Sequence, residues 1–222
     1  MSASKESVAL VTGFVPFGGG TLNPSEQVAR RLDGERFGTT RVVTRILPVE
    51  FEGLEARIEA LVAELNPSLI LSLGLAQGEP TVRLERVAVN LADYAIPDNA
   101  GAFLRDAPVA AEDRAALFAT LPLRRIEQRL LESGIPATLS TTAGTFLCNA
   151  TMYGFLRTLR TRASEAPCGF VHLPYLPEQS AAALLRMQRE RSGERVSKFE
   201  FPSMHLDTMV QAARIILEVC LT

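Results

Sequence analysis

Two stretches of this chain, Val8 to Phe14 and Ser68 to Leu75, are almost wholly apolar and lack the polar alternation of a one-sided strand. Such runs need cover on both faces, which an open parallel sheet clad by helices provides. Between them the apolar spacing turns helical. Leu54, Ile58, Leu61, Val62 and Leu65 share one face, and Asn66-Pro67 ends it. Asn23-Pro24-Ser25-Glu26 is a helix start, with Asn as N-cap, Pro at the first helical position and Glu behind, leading to a helix as far as about Leu32. Val42 to Leu47, Ala137 to Thr141 and Gly169 to Leu173 read as further strands, and Val82 to Leu91 as one extended segment. Leu123 to Leu131 reads as a helix with Thr120 as its cap and Gly134 at its end, and Met204 to Cys220 as a C-terminal helix. Repeated alternation of this kind predicts an α/β fold with a mostly parallel sheet and helices on both faces. No repeat or linker divides the chain, so residues 1–222 are expected to form one domain, with 1–7 a frayed tail.

A net charge of −2 argues against nucleic-acid and anionic-membrane partners. No apolar run reaches the ~18–20 residues of a membrane span. Met-Ser-Ala-Ser-Lys-Glu-Ser has no apolar core of a secretory signal, so the three cysteines are expected as free thiols in a reducing cytoplasm. With only two histidines and no zinc-like spacing, no metal site is expected. The mixed-sign segment Arg186 to Lys198 reads as a solvated surface helix or loop. Gly13-Phe-Val-Pro-Phe-Gly-Gly-Gly20 lacks both phosphate-cradle spacings, and its aromatics suggest the lining of an apolar pocket.

Chemistry concentrates in Ala143-Gly-Thr-Phe-Leu-Cys-Asn-Ala-Thr-Met-Tyr153. A strand-like run precedes it, and Met152, Phe155, Leu156 and Leu159 continue it as a helix face. Cys148 thus falls at a strand-to-helix junction, where unpaired N–H groups and the helix dipole favour a thiolate. Cys168, at the start of a strand, and Cys220, in a last helical turn, lack that setting and read as structural. A thiol nucleophile works best beside an imidazole. His172, at the tip of a strand, is preferred over His205, which lies in the first turn of the last helix where imidazolium is disfavoured. Glu85 is the candidate to orient the ring. An unbroken strand would turn it inward with Val87, Val89 and Leu91, whereas a bulge near Arg86 would return it to solvent, and the residues alone leave both open.

Taken together these motifs resemble the pyroglutamyl peptidase I (pyrrolidone-carboxylate peptidase) family over nearly the full length. The segments are Thr12-Gly-Phe-Val-Pro-Phe-Gly-Gly with Asn23-Pro-Ser, Leu84-Glu-Arg-Val-Ala-Val-Asn90, Ile96-Pro-Asp-Asn-Ala-Gly101, Ala143 to Asn149, His172-Leu-Pro-Tyr-Leu-Pro-Glu178 and Phe201-Pro-Ser-Met204. The resemblance implies a single three-layer α/β/α domain with a twisted, mostly parallel mixed sheet. It implies removal of an N-terminal 5-oxoproline from peptides, with Cys148 as nucleophile, His172 as base and Glu85 orienting it. Phe14 and Phe17 would sandwich the lactam, with Ile96 and Leu147 beside them. A cytosolic homotetramer without metal or cofactor is implied too. Two positions depart from the family pattern. Leu75 stands where a lactam-binding Gln is usual, leaving Gln77 as the substitute if the loop is reshaped, and Ala95 stands where an Arg near the oxyanion is usual. The rival readings are a hydrolase of a related lactam or acyl amide, and a non-catalytic binding homologue.

Overall fold

The structure, a computed structural model, describes residues 7–190 and 201–221. In chain order its elements are β1 (Ser7–Phe14), α1 (Pro24–Leu32), β2 (Arg36–Phe37), β3 (Thr40–Leu47), α2 (Leu54–Leu65), β4 (Leu69–Leu75), β5 (Val82–Glu85), β6 (Val87–Val89), β7 (Ala116–Phe118), α3 (Leu123–Glu132), β8 (Ala137–Ser140), α4 (Leu147–Thr161), β9 (Cys168–Leu173), α5 (Pro177–Glu190) and α6 (Leu206–Leu221). Seven strands form one sheet in the order β2-β3-β1-β4-β9-β5-β8, and β6 and β7 pair separately. Neighbours from β3 to β9 and the β5–β8 pair are parallel, while β2–β3 and β5–β9 are antiparallel.

The apolar runs are where the two-sided cover lies. Odd-numbered Leu69, Leu71 and Leu73 of β4 pack with residues of α1, α3 and α6, and Ile70 packs on the other side with residues of α2 and α4. This is the three-layer α/β/α domain with a mixed, mostly parallel sheet. The strand order reverses between the parallel β1 and β4, so the loops after these two strands flank a crevice of the kind that binds ligands in open α/β folds. Asn23 caps α1 by accepting from Ser25 N, and Ser25 Oγ accepts from Phe14 N. The helix start sits so close that a Cβ on Gly13 would lie 2.4 Å from Ser25 O, which is why glycine precedes Phe14.

Several expectations are corrected. Val82 to Leu91 is not one strand: β5 ends at Glu85, and β6 leaves for the second sheet after Arg86. Thr120 does not cap α3, whose N-cap is Pro122; its hydroxyl instead accepts from Cys168 N. The last helix starts at Leu206, so Met204 and His205 precede it. Ser7 already pairs in β1 and is not tail, while residues 1–6 lie outside the described residues. Arg186 and Arg189 belong to α5, and residues 191–198 of the charged segment lie outside the described residues. Among the described residues no helix is long and apolar enough to cross a membrane.

Candidate active site

The sulfur sits where β8 hands over to α4. Phe146 is the extended N-cap (φ −94°, ψ −162°), and its carbonyl accepts the first helical bond, from Ala150 N. The N–H groups of the preceding turn therefore point past the helix end, with the positive end of its dipole. Below them lies Gly74 of β4. A Cβ there would approach Cys148 Sγ to 2.9 Å and Phe170 Cζ to 2.7 Å, so the thiol rests on bare backbone and glycine is required. Asn149, fully buried, accepts from Val89 N and donates to the carbonyls of Val89 and Leu91, locking the helix start to the segment after β6. Cys148 itself is half-buried and free.

Gly74 is the register neighbour of His172 in the parallel β4–β9 pair, which puts the imidazole one strand from the glycine under the sulfur. Glu85 is fully buried, and its Oε1 lies 2.8 Å from His172 Nδ1. An ionised carboxylate only accepts, so Nδ1 carries the proton and Nε2 is the nitrogen left for the thiol. Burial works against charge on the ring, but the Cys148 sulfur and the Glu85 carboxylate outweigh it and raise His172 to about 9. Three residues singled out in the sequence thus meet at one place. Both sides of β5 are covered, so Leu84 and Glu85 are buried together. This is why parity alone could not decide where Glu85 faces.

The aromatic candidates are near but differently partnered. Phe14 is buried, with its ring 6.4 Å from Phe170, which lies 4.9 Å from the His172 ring. Phe17 instead faces Phe146 at 6.0 Å, and Phe146 meets Tyr94 edge-on at 4.6 Å. Phe146, adjoining the nucleophile candidate, was missed in the sequence; its signal is a large ring at an N-cap position that Ser or Asp would normally take. Ile96 is partly exposed above the loop after β1, its Cδ1 lying 3.5 Å from where a Gly18 Cβ would stand. It is held there by its neighbours. Asp98 accepts from Phe51 N, Ala100 N and Ala102 N, and Asn99 donates to Pro16 O. These polar anchors, also missed, explain the Ile-Pro-Asp-Asn motif. Leu147 is buried in the core, Leu75 is nearly so at the end of β4, Ala95 is exposed, and Gln77 is exposed in the turn after β4.

The alternatives lie elsewhere. Burial pushes the Cys168 thiol far up and the Cys220 thiol up to about 12. His205 is exposed ahead of α6, 3.6 Å from Asp207.

The sequence profile described as pyroglutamyl peptidase matches residues 7–222. A pyrrolidone-carboxylate peptidase of Chromobacterium violaceum is 43% identical over 96% of this chain and 92% of that protein. One from Pyrococcus furiosus is 38% identical over 96% of this chain and 97% of that protein. The structure of a mutant pyrrolidone carboxyl peptidase from Pyrococcus furiosus superposes with a TM-score of 0.89 at 37% identity, over 96% of this chain and 98% of that one.

Proposed function

The chain belongs to the pyroglutamyl peptidase family, and from that premise we propose that Cys148, His172 and Glu85 carry its reaction. It is a cysteine peptidase that removes an N-terminal pyroglutamyl residue from peptides. His172 takes the Cys148 proton, and the sulfur attacks the carbonyl that follows the lactam ring. The His172 imidazolium then protonates the departing amine, and water, activated by the neutral ring, releases 5-oxoproline from the thioester. Glu85 keeps the ring in the tautomer that presents Nε2. With Ala95 offering no cation, the developing oxyanion falls to the backbone N–H groups that open α4. Phe17 and Phe146, with rings 6.0 Å apart, and Ile96 over the loop after β1 offer apolar surface that suits a small neutral lactam and disfavours a free ammonium, because burying that charge unpaired is costly.

The observation that carries this reading is the thiol over Gly74 beside a histidine whose other nitrogen is held by a buried carboxylate. Cys148→Ser and His172→Ala are expected to lower cleavage of a pyroglutamyl amide by at least about 10⁴-fold, the scale for losing a nucleophile or its base. Cys168→Ala and His205→Ala keep it. A dead His205→Ala beside an active His172→Ala would refute the assignment.

Free thiols support a reducing, cytoplasmic setting. Leu184 and Leu185 lie exposed on α5 and support a homo-oligomer, a homotetramer by the resemblance, to be read by light scattering.

A further inference from the structure

Arg83 stands directly opposite His172 where β5 and β9 run antiparallel, and Glu85, two residues on, projects to the same side. Its Nε lies 3.3 Å from Glu85 Oε1, the oxygen that also pairs with His172 Nδ1 at 2.8 Å. The rest of the guanidinium is pinned. Nη1 donates to Glu79 Oε1 at 2.7 Å, and Nη2 to Ser140 Oγ at 2.6 Å and Thr142 O at 2.9 Å. It therefore ties the β4–β5 connection, β5 and the loop leading to Cys148. Glu85 Oε2 is buried without a hydrogen-bond partner among the described residues, so compensation of this buried carboxylate rests on Oε1 alone.

We propose that Arg83 is a positioning residue: sharing Oε1 with the imidazole, it fixes Glu85 and weakens that carboxylate's hold on the His172 proton, with Glu79 moderating it from the far side. The proposal rests on His172 serving Cys148. Among the described residues the charged and titratable groups around the ring are Cys148 from α4, Glu85 and Arg83 from β5, and Glu79 from the β4–β5 connection. The signs follow from Coulomb's law. Removing the always-charged guanidinium leaves Glu85 to the imidazolium alone, which then holds its proton to higher pH. Removing the Glu79 charge frees more of the guanidinium's field and does the opposite. The guanidinium thus keeps the base ready to release its proton to the leaving amine, without touching substrate.

The test uses the chain's two histidines, whose imidazole Cε1–H signals in ¹H–¹³C NMR are assigned with His205→Gln. The His172 midpoint is expected to rise by about half a pH unit or more in Arg83→Gln, the scale of a partly screened charge change one residue away. It falls in Glu79→Gln, and Arg83→Lys restores it close to the parent value. The alkaline limb of kcat/KM on a pyroglutamyl amide moves with it. Midpoints that stay put, or move the same way in Arg83→Gln and Glu79→Gln, overturn the proposal, as does a lowered Tm with an unmoved midpoint. Should Arg83→Gln fail to fold, the half-exposed Glu79→Gln decides alone by the sign of its shift. Failure of the peptidase reading looks different: the parent protein leaves the amide uncleaved while the midpoints still separate.

Discussion

Beside the two-residue edge strand β2, strands β3, β1 and β4 form one half of the sheet and β9, β5 and β8 the other, and the second adds buried charge to its apolar side chains. In the first, all pairing is parallel and Leu10, Val11, Leu69, Ile70 and Leu71 are fully buried. Its interior polar pair, Thr12 and Ser72, satisfies itself at 2.9 Å. In the second, the antiparallel β5–β9 seam gathers Arg83, Glu85 and His172 onto one face, and Ser140 of β8 joins them. The first half supplies burial and therefore stability. The second tolerates buried charge because each group has a partner, so loss of one partner is felt in chemistry as well as in folding.

Glu85→Gln tests this contrast hardest. It removes the anion that orients and charges the ring, and kcat/KM is expected to drop about 10²- to 10⁴-fold, as for other orienting carboxylates. Next, Leu71→Ala in the parallel half should cost about 2–5 kcal/mol in urea unfolding through the cavity it leaves. The folded fraction should keep kcat/KM within about twofold, a change of under 0.5 kcal/mol in transition-state binding. A comparable rate loss in Leu71→Ala would erase the distinction between the halves.

A smaller effect is linked to pH. His172 is raised from 6.5 to about 9 in the folded chain. Protonation therefore favours the folded state, fully below pH 6.5, and that contribution fades as pH rises through about 9. Urea midpoints measured across this window should fall in the parent protein, and His172→Ala should lack that decline. Smallest is Leu75→Gln, which restores a polar group at the end of β4. KM for a pyroglutamyl amide should fall about 5- to 10-fold at unchanged kcat, the worth of about one hydrogen bond. An unchanged KM would mean that the lactam is read by other groups.

What could be seen in the residues beforehand follows from how local each signal is. Helix caps and apolar periods sit within a few positions, so α1, α2 and the placement of Cys148 at the opening of α4 were readable. Glu85 was not decidable, since β5 is covered on both sides and the chain leaves the sheet at Arg86. Asn149, Asp98 and Asn99 bind backbone dozens of positions away, and nothing nearby in sequence announces those partners. Phe146 carried only the faint mark of a large ring at an N-cap position, and its contacts with Phe17 and Tyr94 are what make it stand out. α5 was legible only at its charged end, from Arg186, because Ser180 is its one buried residue among the described residues and its leucines face outward, so no apolar stripe marks it.

The proposed reaction stands on activation of the Cys148 sulfur by His172. The most direct check is the rate of iodoacetamide alkylation at each cysteine, read by mass spectrometry at pH 6, in the parent protein and in His172→Ala. Cys148 should react at least about 100-fold faster than buried Cys168 and than Cys220, whose thiol burial pushes up to about 12, with most of that advantage gone in the variant, since the thiolate is the reactive form. Equal rates at the three cysteines, or a Cys148 rate indifferent to His172, would contradict the account.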